Sequence, residues 1–127
     1  MKNTEIFFCG KKLRLYLSME AYLEICQQEE DGVRGIYEKM AGGQADGLRA
    51  CCYAATVMSR AGARVAAALG LEPSEAIEEE KLYSLITPAT YPLLAQAVME
   101  ALQEGLLREK PEEEVDLGLA ELEKKTK

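Results

Sequence analysis

Few residue types in this 127-residue chain could carry chemistry. Cys51 and Cys52 are adjacent, Glu78, Glu79 and Glu80 form an acidic run, and histidine is absent altogether. Without histidine there is no Ser–His or Cys–His nucleophile, no His-ligated zinc site and no imidazole general base. Neighbouring residues of a helix point about 100° apart, so Cys51 and Cys52 would share a metal or a disulfide only on a distorted backbone. As small hydrophobes they suit a buried core. The acidic run lacks the alternating oxygen ligands and loop glycine of a calcium site and reads as a solvated helix face. Gly42-Gly43 and Gly62 fit neither a phosphate loop nor a dinucleotide fingerprint. Further carboxylate pairs, Glu29-Glu30 and Glu112-Glu113 among them, arise by composition in a chain with 22 acidic residues, and carry no specificity for acid–base work. The expectation is a protein that is not an enzyme, with no catalytic, cofactor-binding or metal-binding residues.

Composition narrows the class further. The length suits one domain with a single core. A hydrophobic content of 48% and a charged content of 29% argue against general disorder. Aromatic residues make up only 6% and tryptophan is missing, so Leu, Ala, Val, Ile and Met must fill the core, which favours packed helices. The net charge of −7 repels phosphate backbones, and no basic stripe offsets it, so no nucleic-acid partner is expected. No apolar run reaches the length of about 18 residues that a membrane span needs. Cys9, Cys26, Cys51 and Cys52 show no C-x-x-C spacing, and the N-terminus shows no secretory signal. Reduced thiols in a cytoplasm are therefore expected.

The elements that would position these residues can be read from periodicity. Glu5 to Cys9 and Leu13 to Leu17 form the arms of a hairpin, with Cys9-Gly10-Lys11-Lys12 as its turn and Gly10 able to adopt positive φ. Strict alternation places Leu13, Leu15 and Leu17 on one face, which helices must cover. Ser18 is a good N-cap, and Met19, Tyr22, Leu23 and Cys26 fall at i, i+3, i+4 and i+7, predicting the buried stripe of a first helix. A second helix uses Val33, Ile36, Tyr37 and Met40 and ends at Ala41-Gly42-Gly43. A third, capped by Asp46, is apolar nearly all round from Leu48 to Met58. It continues, with a kink expected near Gly62, to a stop at Gly70. Pro73-Ser74 opens a fourth helix with acidic first turns and an apolar end at Leu82, Leu85 and Ile86. Thr87-Pro88 and Tyr91-Pro92 mark the start of a fifth, whose face is Leu94, Val98, Ala101 and Leu102 and whose stop is Gly105-Leu106. The predicted fold class is α+β and mostly helical: an N-terminal two-stranded antiparallel β-hairpin packed on four to five helices.

Residues 1–108 form the single globular domain in this reading, and 109–127 a charged C-terminal tail, disordered or partly helical. Within the tail, Val115, Leu119 and Leu122 fall at i, i+4 and i+7. About a dozen such residues alone make a marginal helix in water. The stripe has two readings: docking in a partner's groove, which makes these three the candidate partner-binding residues, or packing back on the chain's own domain.

Taken in order, the hairpin runs into L-R-L-Y-L-S-M-E-A-Y-L-E-I, followed by the helix "GLRACCYAA", then "YPLLAQAVMEALQEG" and the tail "EVDLGLAELEKKTK". Across nearly the whole chain this resembles the tail assembly chaperones of long-tailed bacteriophages and prophages, particularly those of Gram-positive hosts. The shared pattern consists of apolar and small residues and includes no catalytic residue. The resemblance implies a protein that holds a tape-measure protein in several copies during assembly and helps recruit tail-tube subunits. It also implies a weak homo-oligomer that works in the host cytoplasm and is absent from the mature virion. Two other readings stand beside it. One is a small acidic regulatory adaptor that binds a basic partner protein in a salt-sensitive way. The other is an enzyme using carboxylates or a thiol, which a cleft with a strongly perturbed titratable group would support.

Overall fold

The protein is described by a computed structural model covering residues 4–8 and 10–106. Two antiparallel strands, β1 (Thr4–Phe8) and β2 (Lys11–Leu15), precede five helices. These are α1 (Met19–Gln28), α2 (Gly32–Gly42), α3 (Ala45–Leu69), α4 (Glu79–Leu85) and α5 (Tyr91–Leu106). The architecture is the expected one, α+β and mostly helical with an N-terminal hairpin. The expected tail, with Val115, Leu119 and Leu122, lies outside the described residues, as does Cys9 of the turn.

The hairpin is tighter than its alternation suggests. Lys11 and Lys12 pair with Phe8 and Phe7 inside the ladder, which leaves two residues for the turn; Gly10 in it has φ +82°. A two-residue connection with positive φ matches the twist of the flanking strands. Leu13, Leu15 and Leu17 are all buried, as the alternation requires, although Leu17 lies past the end of β2.

β2 is the centre of the small sheet. Beyond its free edge runs the segment after α3, where the Glu75 amide donates to the Lys12 carbonyl at 2.9 Å and Glu75 bridges Leu13 in parallel. The same stretch is tied to α3 by Ser59. Its buried hydroxyl accepts from the Ile77 amide at 3.1 Å and donates to the Thr56 carbonyl at 3.0 Å. These two anchors hold the Pro73–Glu78 stretch out of helical geometry, and α4 begins only at Glu79. Pro73-Ser74 therefore does not open a helix.

α3 is the axis of the fold, and almost every neighbour packs on it. Ala50, Cys51, Cys52, Ala54, Ala55, Val57, Met58 and Ala61 are all buried along it. The helix runs without interruption through Gly62. A side chain at Gly62 would overlap the Arg14 carbonyl oxygen, and one turn earlier the Met58 carbonyl accepts from the Tyr16 amide at 3.2 Å. Gly62 is there so that β2 can lie directly on the helix, not to bend it. The N-cap position belongs to Gln44, two residues before the expected Asp46. Asp46 sits in the first turn, where a carboxylate suits the helix dipole, and pairs with Arg49 at 3.4 Å. At the other end the stop at Gly70 is as expected, with the Leu71 amide donating to the Ala66 carbonyl at 2.8 Å.

α2 and α5 bury the predicted faces: Val33 and Ile36 in one, Leu94, Val98, Ala101 and Leu102 in the other. Gly105 does not stop α5. It lies inside the helix, where an added Cβ would come within 2.5 Å of the Leu17 Cβ, so it serves a close contact with the end of the hairpin. Among the described residues, no helix is long and apolar enough to cross a membrane.

Candidate functional site

The residues first considered for chemistry are placed where they can do little. Cys51 and Cys52 are fully buried on α3. Burial, with the neighbouring Cys52 adding to it, pushes the Cys51 thiol up to about 12, while the Tyr91 hydroxyl beside it pulls the other way. Burial and the Glu79 carboxylate push Cys52 up to about 11. The thiolate is the nucleophilic form, so both groups are held in their inert state. In the acidic run, Glu79 accepts from the Tyr83 hydroxyl at 2.8 Å and Glu78 and Glu80 face solvent. Among the described residues, no group of three or more Cys, Asp or Glu side chains is placed to hold a metal ion.

The feature that stands out is an open apolar face on α1. Six of the ten residues of this helix are apolar, enough for two overlapping stripes. The buried side is Ala21 and Ile25. At about 100° per residue these lie roughly opposite Met19 and Leu23. Met19 is 69% exposed, Leu23 54% exposed, and Cys26 is exposed too, with Tyr22 half-buried at the margin. The predicted stripe is thus real but faces out, not in.

Two sets of contacts set this rotation. Leu17, Ala21 and Ile25 fall at i, i+4 and i+8, so the buried face of the hairpin continues along the helix in one row. Along a flank of α1, Glu20 pairs with Arg64 at 2.7 Å and Glu24 with Arg60 at 3.1 Å, both from α3. The Glu24 carbonyl also accepts from the Tyr53 hydroxyl at 3.1 Å. Exposed ion pairs contribute little stability each, but their position locks which way the helix is turned. The Leu17–Ala21–Ile25 row was the signal in the sequence that would have identified the buried side.

At its C-terminal end the open face runs into a shallow groove of about 500 Å³ between α1, the start of α2 and the end of α5. Tyr22, Cys26, Val33 and Leu106 supply its apolar walls, and Glu30, Asp31 and Arg34 its charged rim. Ser18 steadies the other end of α1, its hydroxyl accepting from the Ala21 amide at 3.1 Å, as an N-cap should. A helical face about 10 Å long, apolar along its middle and charged at its edges, is suited to receive another helix.

The three residues singled out in the sequence, Val115, Leu119 and Leu122, lie outside the described residues, so the structure does not bring them to this face. No family model matches the chain, and neither does any curated protein or solved structure.

Proposed function

We propose that this chain is a tail assembly chaperone of a long-tailed phage or prophage: it binds the tape-measure protein in several copies and helps recruit tail-tube subunits. The observation that carries the reading is the open face of α1, where Met19 and Leu23 stand in solvent one helical turn apart, with the exposed Cys26 next along the same stripe. Large exposed apolar groups gathered on one face are characteristic of a surface that meets another protein. The apolar stripe of α1, with Glu20 and Glu24 along one flank and Glu30, Asp31 and Arg34 at one end, suits an amphipathic helix, the form expected of a long tape-measure protein.

The stripe from Met19 to Cys26 covers about 10 Å of a partner helix. A partner many times longer is shielded only by many copies, and weak self-association lets neighbouring copies reinforce one another. The net charge of −7 keeps such crowded copies soluble. On this reading the protein works in the host cytoplasm, where its buried thiols stay reduced, and leaves before the virion is complete.

Co-expression with the tape-measure protein encoded nearby tests the proposal. The partner should become soluble in a complex holding more than one copy of this chain, and Leu23→Glu should abolish the complex while leaving the helical content unchanged. A partner that stays insoluble sinks the reading. A one-to-one complex with a basic protein, dissolved by moderate salt, moves the acidic-adaptor reading ahead of it.

A further inference from the structure

We propose that the outer edge of β1 joins two copies of this chain, by antiparallel pairing with β1 of the second copy, so that the two hairpins become one continuous sheet. The first argument is the direction of the backbone groups. On β2 the Lys12 carbonyl points away from β1, toward the Glu75 amide, and the Tyr16 amide points away toward the Met58 carbonyl. Lys12 and Arg14 therefore occupy the ladder positions that do not bond across it, and so do their partners Phe7 and Glu5. The amides and carbonyls of Glu5 and Phe7 consequently point outward from the far side of β1. Both residues are exposed, Phe7 to 75%. Among the described residues, no hydrogen bond from another element reaches their backbone.

The two edges of the hairpin are thus treated differently. Along β2 each outward position is taken: Lys12 by Glu75, Arg14 by the backbone of α3 at Gly62, and Tyr16 by Met58. Along β1 the corresponding groups meet solvent. An open edge accepts a further strand through main-chain bonds, so the sheet can grow on this side alone. The strand is short, and so small a contact belongs with weak, reversible pairs.

A second copy fits because the edge is complementary to itself, in backbone and in charge. With Ile6 opposite Ile6 of the second copy, each Glu5 lies opposite a Phe7, and each such pair exchanges both of its main-chain bonds. The two exposed Phe7 side chains then share one face of the joined sheet, at diagonal positions about 7–8 Å apart, within reach of aromatic contact. Glu5 is held by Arg14 at 2.9 Å and by Lys12 at 3.8 Å, while Lys11 and Lys12 are matched by Glu75 at 3.0 Å and Glu72 at 2.7 Å. These cations and carboxylates balance, so a chain of net charge −7 meets its copy on a neutral patch. α1 makes no contact with β1, so the pairing uses a different surface from the Met19–Leu23 face. It supplies a contact through which neighbouring copies on one partner would join, yet it does not depend on the chaperone reading.

Two measurements on the isolated full-length protein test this, and neither involves a partner, so their failure is separate from that of the chaperone reading. Sedimentation over about a hundredfold range of concentration should show monomers passing into dimers. Phe7→Pro removes the outward amide without touching a ladder bond, and Phe7→Glu sets like charges opposite one another across the pair. Each should raise the dissociation constant about tenfold or more, with the circular dichroism unchanged. If proline disturbs β1, Phe7→Glu decides. Amide exchange followed residue by residue locates the contact. Glu5 and Phe7 should exchange about fivefold more slowly at the concentrated end than at the dilute end, whereas Ile6, bonded to β2, should be slow at both. A monomer at every concentration overturns the proposal, as does a dimer that Phe7→Glu forms as tightly as the parent. Slow exchange at Glu5 and Phe7 that ignores concentration also overturns it, because the edge would then be covered within one chain.

Discussion

Helices α1 and α3 are both rich in apolar residues, yet one is left half open and the other is enclosed. Around the middle of α3, from Ala50 to Gly62, nearly every direction is taken: β2 lies on Gly62, the stretch before α4 hangs from Ser59, and α1, α2, α4 and α5 all touch the helix. Its small residues, Ala50, Ala54, Ala55, Ala61 and Gly62, let these neighbours approach closely. A helix that is apolar all round has one place to go, the centre. α1 carries two stripes, and its neighbours α2 and α3 bury the Ala21–Ile25 side and leave the Met19–Leu23 side open. The difference teaches that apolar content decides whether a helix packs, whereas its neighbours decide which side does.

The largest expected effect breaks the enclosed region. Gly62→Val places a branched side chain where the Arg14 carbonyl lies, and neither backbone can give way without opening the strand from the helix. Denaturant titration should show a loss of about 4 kcal/mol or outright failure to fold. A loss near zero would mean that β2 does not rest on α3. Next comes the buried side of α1: Ile25→Ala empties a fully enclosed site and should cost about 2–4 kcal/mol in the same titration.

Ser59→Ala leaves the buried Ile77 amide without its acceptor and should cost about 1–3 kcal/mol. Hydrogen exchange at Ile77 should accelerate at the same time, locating the damage between α3 and α4. The buried thiols give a pH test. Cys51 and Cys52 titrate at about 12 and 11, above the ordinary 9.0, so the folded protein holds these protons more tightly than the unfolded chain does. Their contribution is whole below pH 9 and falls as pH rises from 9 toward 12. Thermal midpoints should decline over that window, and replacing both cysteines with alanine should flatten the decline relative to its own value at neutral pH.

The smallest effect belongs to the open side. Leu23→Ala, only two residues from Ile25, should move global stability by no more than about 0.5 kcal/mol. A cost as large as that of Ile25→Ala would erase the distinction between the two faces of α1 and, with it, the site.

Much of the fold was legible from local pattern. The alternation at Leu13, Leu15 and Leu17, the cap at Ser18, the α2 face from Val33 to Met40, the stop at Gly70 and the α5 face from Leu94 to Leu102 are each determined within a few residues. Periodicity and capping act over one or two turns of chain, so a single segment carries the whole signal. Burial of Cys51 and Cys52 belongs to the same class, since a segment apolar on all sides can only be central. The candidate site was legible as a stripe but not as a surface.

What the tertiary structure alone decided rests on residues far apart in the chain. Pro73 to Glu78 stays out of helix because Glu75 meets Lys12 and Ile77 meets Ser59. Gly62 and Gly105 sit inside helices because Arg14 and Leu17 press against them. Met19 and Leu23 face solvent because Arg60 and Arg64 hold the flank of α1 and Leu17 directs its buried row. Each of these is a competition between two locally acceptable arrangements. The free energy that separates them comes from contacts that exist only once the distant partner has arrived.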